Sequence, residues 1–234
     1  MEGSDPLADT QRPVLREVLE SAARLQAVVP DAVLVEGSAA ALYGDHRDSY
    51  DHDHVLADLA ERFEAVLEAV ERTDGWVTNR VTPGKVILGE LGGIETGIRQ
   101  LLRRRPLEVT EVRLRTEHRV RVPTLEEILR VKGFLIIRRN QTRDYLETAA
   151  LTDRAGVDVA GRVLAGIDDY YEDQRGPNAK GVATQLARQL AEPSPRDSMS
   201  ARELTSYKGI DPRWSAWSAV RDACQAVALE MVKP

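Results

Sequence analysis

The chain has 234 residues, 42% of them hydrophobic and 30% charged, ordinary proportions for a globular protein with room for one large domain or two small ones. A net charge of −6 argues against a cationic coat for nucleic acid, and the single cysteine, Cys224, excludes an intramolecular disulfide and a sulfur-built zinc site. With no apolar run of about 18 residues and no signal-peptide core, a cytoplasmic protein without a membrane partner is expected.

Residues 1–12 are polar, with frayed ends expected. Leu15, Val18, Leu19, Ala22 and Leu25 recur at helical spacing and predict a helix over 13–29. The apolar run 32–35 reads as a buried strand that meets Gly37-Ser38, after which AAALY suits a brief helix. A second strand is predicted near 50–55. A helix follows over 56–72, with Leu59, Phe63, Val66, Leu67 and Val70 on one face. From residue 76 the texture turns to strands: WVTNRV, KVILGEL, a Gly92-Gly93 hairpin turn, and IETGIRQLL. A further pair, EVTEVRLR and HRVRVP, comes next.

Beyond Thr124 the pattern is helical. Thr124-Leu-Glu-Glu127 matches a capping box, which sets a helix start. Further helices are predicted near 142–154, 157–173, 178–191, 200–207 and 213–232, with a linker at 192–200. The fold class is α+β: a mixed sheet with helices over residues 1–123, then an all-helical domain over 124–234.

Chemistry concentrates in VEGSAAALYGDHRDSYDHDHVL. On a strand, Asp51 and Asp53 project to the same face, and two like charges that close need a cation between them. Oxygen donors suit Mg²⁺. The competing reading is a polar turn whose carboxylates cap the next helix. Gly37-Ser38, between a predicted strand and helix, stands where backbone N–H groups gather and attract phosphate, with the serine hydroxyl as a further donor. A phosphate cradle beside an acidic pair is the layout that phosphoryl transfer needs.

The stretch resembles the Gly-Ser…Asp-X-Asp signature of DNA-polymerase-β-like nucleotidyltransferases. Its His46–Asp53 approach is similar to the AbiEii and MenT type of toxin nucleotidyltransferases. The resemblance runs from about residue 30 to 150. It implies a polymerase-β-like nucleotidyltransferase domain in which Asp51 and Asp53 hold Mg²⁺ or Mn²⁺, and Gly37 and Ser38 cradle the phosphates of an NTP. Arg47 and Ser49 match the signature and would orient the aspartates, although cap and surface roles serve them equally. A third carboxylate is expected on a neighbouring strand, Glu95 with Glu90 as competitor.

The same resemblance asks for a lysine and a following aspartate in the second half, which Lys132 and Asp144 supply. On the helix after Thr124, the stripe Leu125, Ile128, Leu129, Leu135 and Ile136 leaves Lys132 where an apolar residue belongs. Lys132 therefore either snorkels out or faces a cleft, where it would hold the triphosphate. Arg139 and Arg143 extend its face. Asp144 pairs with an arginine, positions the acceptor, or is a first-turn charge.

Two departures stand out. His52 and His54 flank the aspartates where relatives carry apolar residues, so the strand lies at an edge or has a polar far face, and exposure is expected for both histidines. Glu36 stands where relatives carry glycine.

The expected function is transfer of a nucleoside monophosphate from an NTP to an acceptor hydroxyl, with release of pyrophosphate. The resemblance points to an RNA acceptor, a tRNA 3′ end, with an antitoxin partner. The clusters Arg103, Arg104, Arg105 and Arg138, Arg139, Arg143 would serve as backbone contacts or as solvated faces. A small-molecule acceptor such as an aminoglycoside, a protein hydroxyl, or a non-catalytic nucleotide- or RNA-binding module are the alternatives. A phosphohydrolase built on His52-Asp53 is weaker, because His46 and His118 complete no ligand pattern.

Overall fold

A computed structural model describes residues 12–174, 180–197 and 203–233. The expected frayed start, the predicted beginnings of helices at 178 and 200, and the end of the 192–200 linker fall outside them. The chain forms two compact units. One is the segment up to Leu42 together with Ser49–Thr124; the other is Tyr43–Asp48 together with the chain from Leu125 onward.

In the first unit, helix α1 (Pro13–Val28) opens with a proline whose fixed φ suits a first turn, and it buries Leu15, Val18, Leu19, Ala22 and Leu25. Strands β1 (Val33–Val35), β2 (His52–Leu56), β3 (Trp76–Thr82), β4 (Val86–Leu91) and β5 (Ile94–Gln100) form one sheet in the order β1-β2-β5-β4-β3. The β2–β5 pair is parallel and the other pairs are antiparallel, so the sheet is mixed. Gly92 and Gly93 close the β4–β5 hairpin with φ of 61° and 82°, the left-handed pair that a tight hairpin turn requires.

Helix α2 (Glu36–Gly44) follows β1 directly, and α3 (Leu59–Glu71) follows β2. Leu25, Val29, Leu56, Leu59, Phe63, Val66, Val70, Ile87, Leu91 and Ile98 make a continuous core between α1, α3 and the sheet. A two-stranded ladder, β6 (Val109–Arg113) with β7 (Arg119–Pro123), is clipped to α1 by the buried Gln26. Its side chain accepts from the Arg121 amide at 2.7 Å and donates to the Arg121 carbonyl at 3.0 Å.

Strand β2 corrects an expectation. It is an internal strand, and His52 and His54 have no exposed surface. The period of two explains this: His52, His54 and Leu56 take the core face of β2, leaving the other face to Asp51, Asp53 and Val55. Of the two possibilities raised by the histidine flanks, the polar far face is the one present.

From Leu125 onward the second unit contains α4 (Leu125–Arg139), α5 (Thr142–Ala155), α6 (Val157–Ala165), α7 (Val182–Ala191) and α8 (Trp217–Met231), with short 3-10 turns between α6 and α7 and between α7 and α8. Helix α4 starts where the capping box places it, yet the Thr124 amide donates to the Glu108 carbonyl at 2.8 Å and Glu127 accepts from Arg130 at 2.8 Å. Asn140, at φ 51°, ends it in the left-handed conformation that asparagine tolerates. The predicted helix 157–173 stops at Ala165 and continues as 3-10 turns at Ile167–Asp169 and Glu172–Gln174, because Gly166 and a run of aspartates and tyrosines propagate a helix poorly. Near 200–207 the described residues hold a 3-10 turn, Leu204–Ser206. Among the described residues, no helix is long and apolar enough to cross a membrane.

Candidate functional site

The Gly-Ser turn is bolted to the acidic strand. Gly37 and Ser38 lie in the first turn of α2, and the buried Ser38 hydroxyl donates to the Asp51 carbonyl at 2.5 Å. The buried Ser49 hydroxyl donates to Oδ1 of Asp51 at 3.1 Å. Ser38 has one hydroxyl proton, and it is engaged here. A phosphate at this turn would therefore meet backbone N–H groups at the start of α2 rather than the serine donor. Glu36, immediately before, has φ 57°, a conformation that glycine adopts without strain.

Register fixes what faces the aspartates. Asp53 lies opposite Gly97, Gly97 opposite Leu88, and Leu88 opposite Arg80, one row across four strands. Glu95 and Arg99 flank Gly97 on the same side of β5, and Glu90 sits opposite Glu95. A cavity of about 250 Å³ opens over this face, lined by Asp51, Asp53, Asn79, Arg80, Glu95, Gly97 and Arg99 among others.

Asp53 is largely buried and receives the Arg99 Nε at 3.3 Å. Burial pushes its pKa up, Arg99 pulls it down, and the nearby Glu36 and Asp51 carboxylates push it up again. Among the described residues, no three of His, Cys, Asp or Glu already stand at metal-ligating spacing. The donors nonetheless fit a hard divalent ion. They are carboxylate oxygens, and Asp53 lies over Gly97 so closely that a Cβ there would collide with its Oδ1. A guanidinium already stands in as the cation.

Beneath the aspartates lies a polar floor. Nε2 of His52 is 3.0 Å from the Ser21 hydroxyl and 3.0 Å from the Thr96 hydroxyl. The His54 ring packs edge-on at 5.2 Å between centroids, and neither of its nitrogens has a hydrogen-bond partner among the described residues. Burial lowers the His52 pKa to about 4. Burial, with the charge of His52 second, holds His54 well below its ordinary value.

The remaining expected residues belong to the second unit. Lys132 has no exposed surface, and its Nζ stands 2.8 Å from Oε2 of Glu147. Arg47 reaches Oε1 of the same carboxylate at 2.6 Å. Burial acts to raise the Glu147 pKa, but Lys132, Arg47 and His46 outweigh it and hold the group well below the usual carboxylate range. Neither snorkelling nor exposure to a cleft describes this lysine. Asp144 takes a forked Arg139, with Nη2 at 2.7 Å and Nε at 3.0 Å from both oxygens, and accepts the Gln141 amide at 3.4 Å. It is thus both an arginine partner and a first-turn charge of α5. Burial raises its pKa first and Arg139 opposes that. In the first arginine cluster, the buried Arg103 donates to the carbonyls of Arg105 and Pro106, so it clamps its own loop.

The structure brings Gly37, Ser38, Ser49, Asp51, Asp53 and Glu95 into the first unit, and places Arg47, Lys132 and Asp144 in the second. Sequence reasoning missed Gly97 and Arg99, although strand alternation from Glu95 would have put both beside the aspartates. It also missed Glu147, for which no local pattern exists. Another concavity, about 610 Å³ in the second unit, is lined mainly by alanines and aliphatic side chains between α7 and α8 and gathers no acids. The chemistry therefore points to the smaller cavity.

No family model matches the chain. It is 35% identical, over 94% of its length, to the heme uptake protein MmpL11 of Mycobacterium tuberculosis and to the probable transport protein MmpL11 of Mycobacterium bovis. It is 41% identical over 131 residues to the mycolic acid-containing lipids exporter MmpL11 of Mycolicibacterium smegmatis, a match covering 56% of this chain and 13% of that protein. The chain spans 23% of the length of the first two relatives. Among solved structures, a protein from H. pylori described as a nucleotidyltransferase matches with a TM-score of 0.49 at 14% identity, covering 95% of this chain and 97% of that one. An antigenic nucleotidyltransferase-like protein from Paracoccidioides brasiliensis matches at 0.46 and 15% identity, covering 74% and 92%. Both scores lie below one half, and the reading of the site rests on its residues.

Proposed function

We propose that the chain is a divalent-metal-dependent nucleotidyltransferase, moving a nucleoside monophosphate from an NTP to an acceptor hydroxyl with release of pyrophosphate. One observation carries this reading. Two carboxylates share the outer face of an internal strand, the Ser38 hydroxyl ties that segment to a Gly-Ser helix start, and the Ser49 hydroxyl holds the Asp51 carboxylate. When bound, Mg²⁺ or Mn²⁺ would neutralise the phosphate oxygens and favour the departure of pyrophosphate. Asp51 and Asp53 would hold it, with Glu95 on the same face as the third acid. Ser49 orients Asp51, and the amides opening α2 receive phosphate.

In its finer form the proposal takes the 3′ end of an RNA, a tRNA, as acceptor, in a toxin restrained by an antitoxin. That form is supported by the sequence resemblance alone. A phosphate contact by Lys132 requires it to leave Glu147. The test is incubation of purified protein with Mg²⁺, total RNA and each α-labelled NTP in turn, beside an Asp51→Ala/Asp53→Ala control. Label entering RNA only with intact aspartates is the expected result. Label entering an aminoglycoside or a protein hydroxyl instead keeps the transferase and changes the acceptor.

A second reading follows from the alignment with part of longer proteins whose names say transport, heme uptake or lipid export. There the same site would bind a metal–nucleotide pair without transferring it, as a regulatory module. Tight binding of NTP with Mg²⁺ and no labelled product with any acceptor would favour this reading.

A further inference from the structure

Arg99 is a partner that Asp53 cannot keep once a metal arrives. We propose that the Arg99 guanidinium is exchanged against a divalent cation: in the free protein it occupies Asp53, and on metal binding it turns to hold the phosphate chain of the incoming nucleotide. The inference rests on the proposed function and deepens it.

Three observations carry it. The parallel register sets Asp53 beside Gly97, so Arg99, two residues on, lies on the same face with no side chain between it and the carboxylate. The contact is a single Nε donor at 3.3 Å, and Asp53 is the partner of Arg99 among the described residues. A guanidinium held by one of its five donors at that length, on a side chain 45% exposed that lines the cavity, has donors to spare for a ligand. The charge count then changes sign. The charged side chains lining the cavity, Asp51, Asp53, Glu95, Arg80 and Arg99, together carry one negative charge, and a divalent cation turns this to one positive. The metal both repels the guanidinium from Asp53 and creates the field that draws a polyphosphate. The released fork matches phosphate oxygens in bidentate geometry, which a lysine cannot reproduce.

The experiment uses Mn²⁺ alone, followed by electron paramagnetic resonance of the free ion. It then uses inorganic tripolyphosphate at saturating Mg²⁺, followed by calorimetry; this probe carries the phosphate chain without a base. Arg99→Gln is expected to bind Mn²⁺ at least threefold more tightly than the unaltered chain and tripolyphosphate at least tenfold more weakly. Arg99→Lys keeps the competition for Asp53, so its Mn²⁺ affinity stays near that of the unaltered chain while its tripolyphosphate affinity falls. Circular dichroism checks that both variants are folded. Unchanged or weaker Mn²⁺ binding by Arg99→Gln overturns the exchange, and so does unchanged tripolyphosphate binding. If the unaltered chain binds no Mn²⁺, or binds it equally after Asp51→Ala/Asp53→Ala, the metal site itself falls and the proposed function with it.

Discussion

Lys132 and Glu147 are both withdrawn from solvent, and Arg47 closes on the same carboxylate. Charges moved that far from water are tolerated when each has its counterpart, and removing one partner strands the other. Lys132→Met and Glu147→Gln should each lower the unfolding free energy by about 3–5 kcal/mol, the usual cost of breaking a buried pair. The double variant should lose less than the two single losses together, because the second change removes a charge already stranded. Urea denaturation of the three variants measures this, and additive losses would show that the two groups act separately. The sequence already marked Lys132 as a misfit in an apolar stripe, since a helical period exposes such a substitution. It was silent on Glu147, because a pairing between consecutive helices depends on how they pack. Glu36 shows a similar division. Its place in the motif suggested a glycine, and its left-handed φ of 57° gives the reason.

Strand β2 carries opposite chemistry on its two sides: acids toward the cavity and two histidines toward the core. A histidine whose folded pKa lies below its unfolded value of about 6.5 is protonated first in the unfolded chain. Its contribution to stability is therefore complete above pH 6.5 and is lost as pH falls toward the folded value, about 4 for His52. For His52 alone this amounts to about 3 kcal/mol across that window, and His54 acts with the same sign. Denaturation midpoints should hold from pH 7.5 down to about 6.5 and fall from there to pH 4.5. His54→Leu, which removes two ring nitrogens without partners among the described residues, should start higher and fall less steeply. An equal slope in the variant would assign the acid sensitivity elsewhere. At this scale the sequence was most readable where local chemistry decides: the Gly92-Gly93 turn, the start of α4 and the α1 stripe all lie where their patterns put them. It was least readable where burial decides, because histidine is neither apolar enough to announce a core nor charged enough to announce a surface.

The whole chain divides into a sheet-bearing unit and a helical unit, and the ligand proposed here belongs to the first. A ligand that binds only the folded form stabilises it by mass action, about 2.7 kcal/mol at a hundredfold excess over Kd. Saturating Mg²⁺ with tripolyphosphate should slow amide hydrogen exchange in peptides covering 52–56 and 94–100, and should leave exchange unchanged in the Asp51→Ala/Asp53→Ala protein. Protection that survives the double substitution would place the polyphosphate elsewhere. The α+β class was legible from the change of periodicity at Thr124, since periods of 2 and 3.6 cannot be mistaken over such lengths. The membership of residues 43–48 was not. Nothing in six residues of mixed polarity says which distant helices will cover them.

That short excursion has a consequence for how the protein is made. The ribosome delivers Tyr43–Asp48 well before Leu125, yet the carbonyl of His46 receives the amide of Asp211 at 2.8 Å, and the amide of Asp48 donates to the carbonyl of Lys208 at 3.0 Å. While the acid-bearing strand emerges and pairs, this piece of chain waits for partners not yet synthesised. For the same reason the helical unit cannot be cut out as one continuous fragment, because a piece beginning at Leu125 would lack a segment contributed by the other side of the sequence.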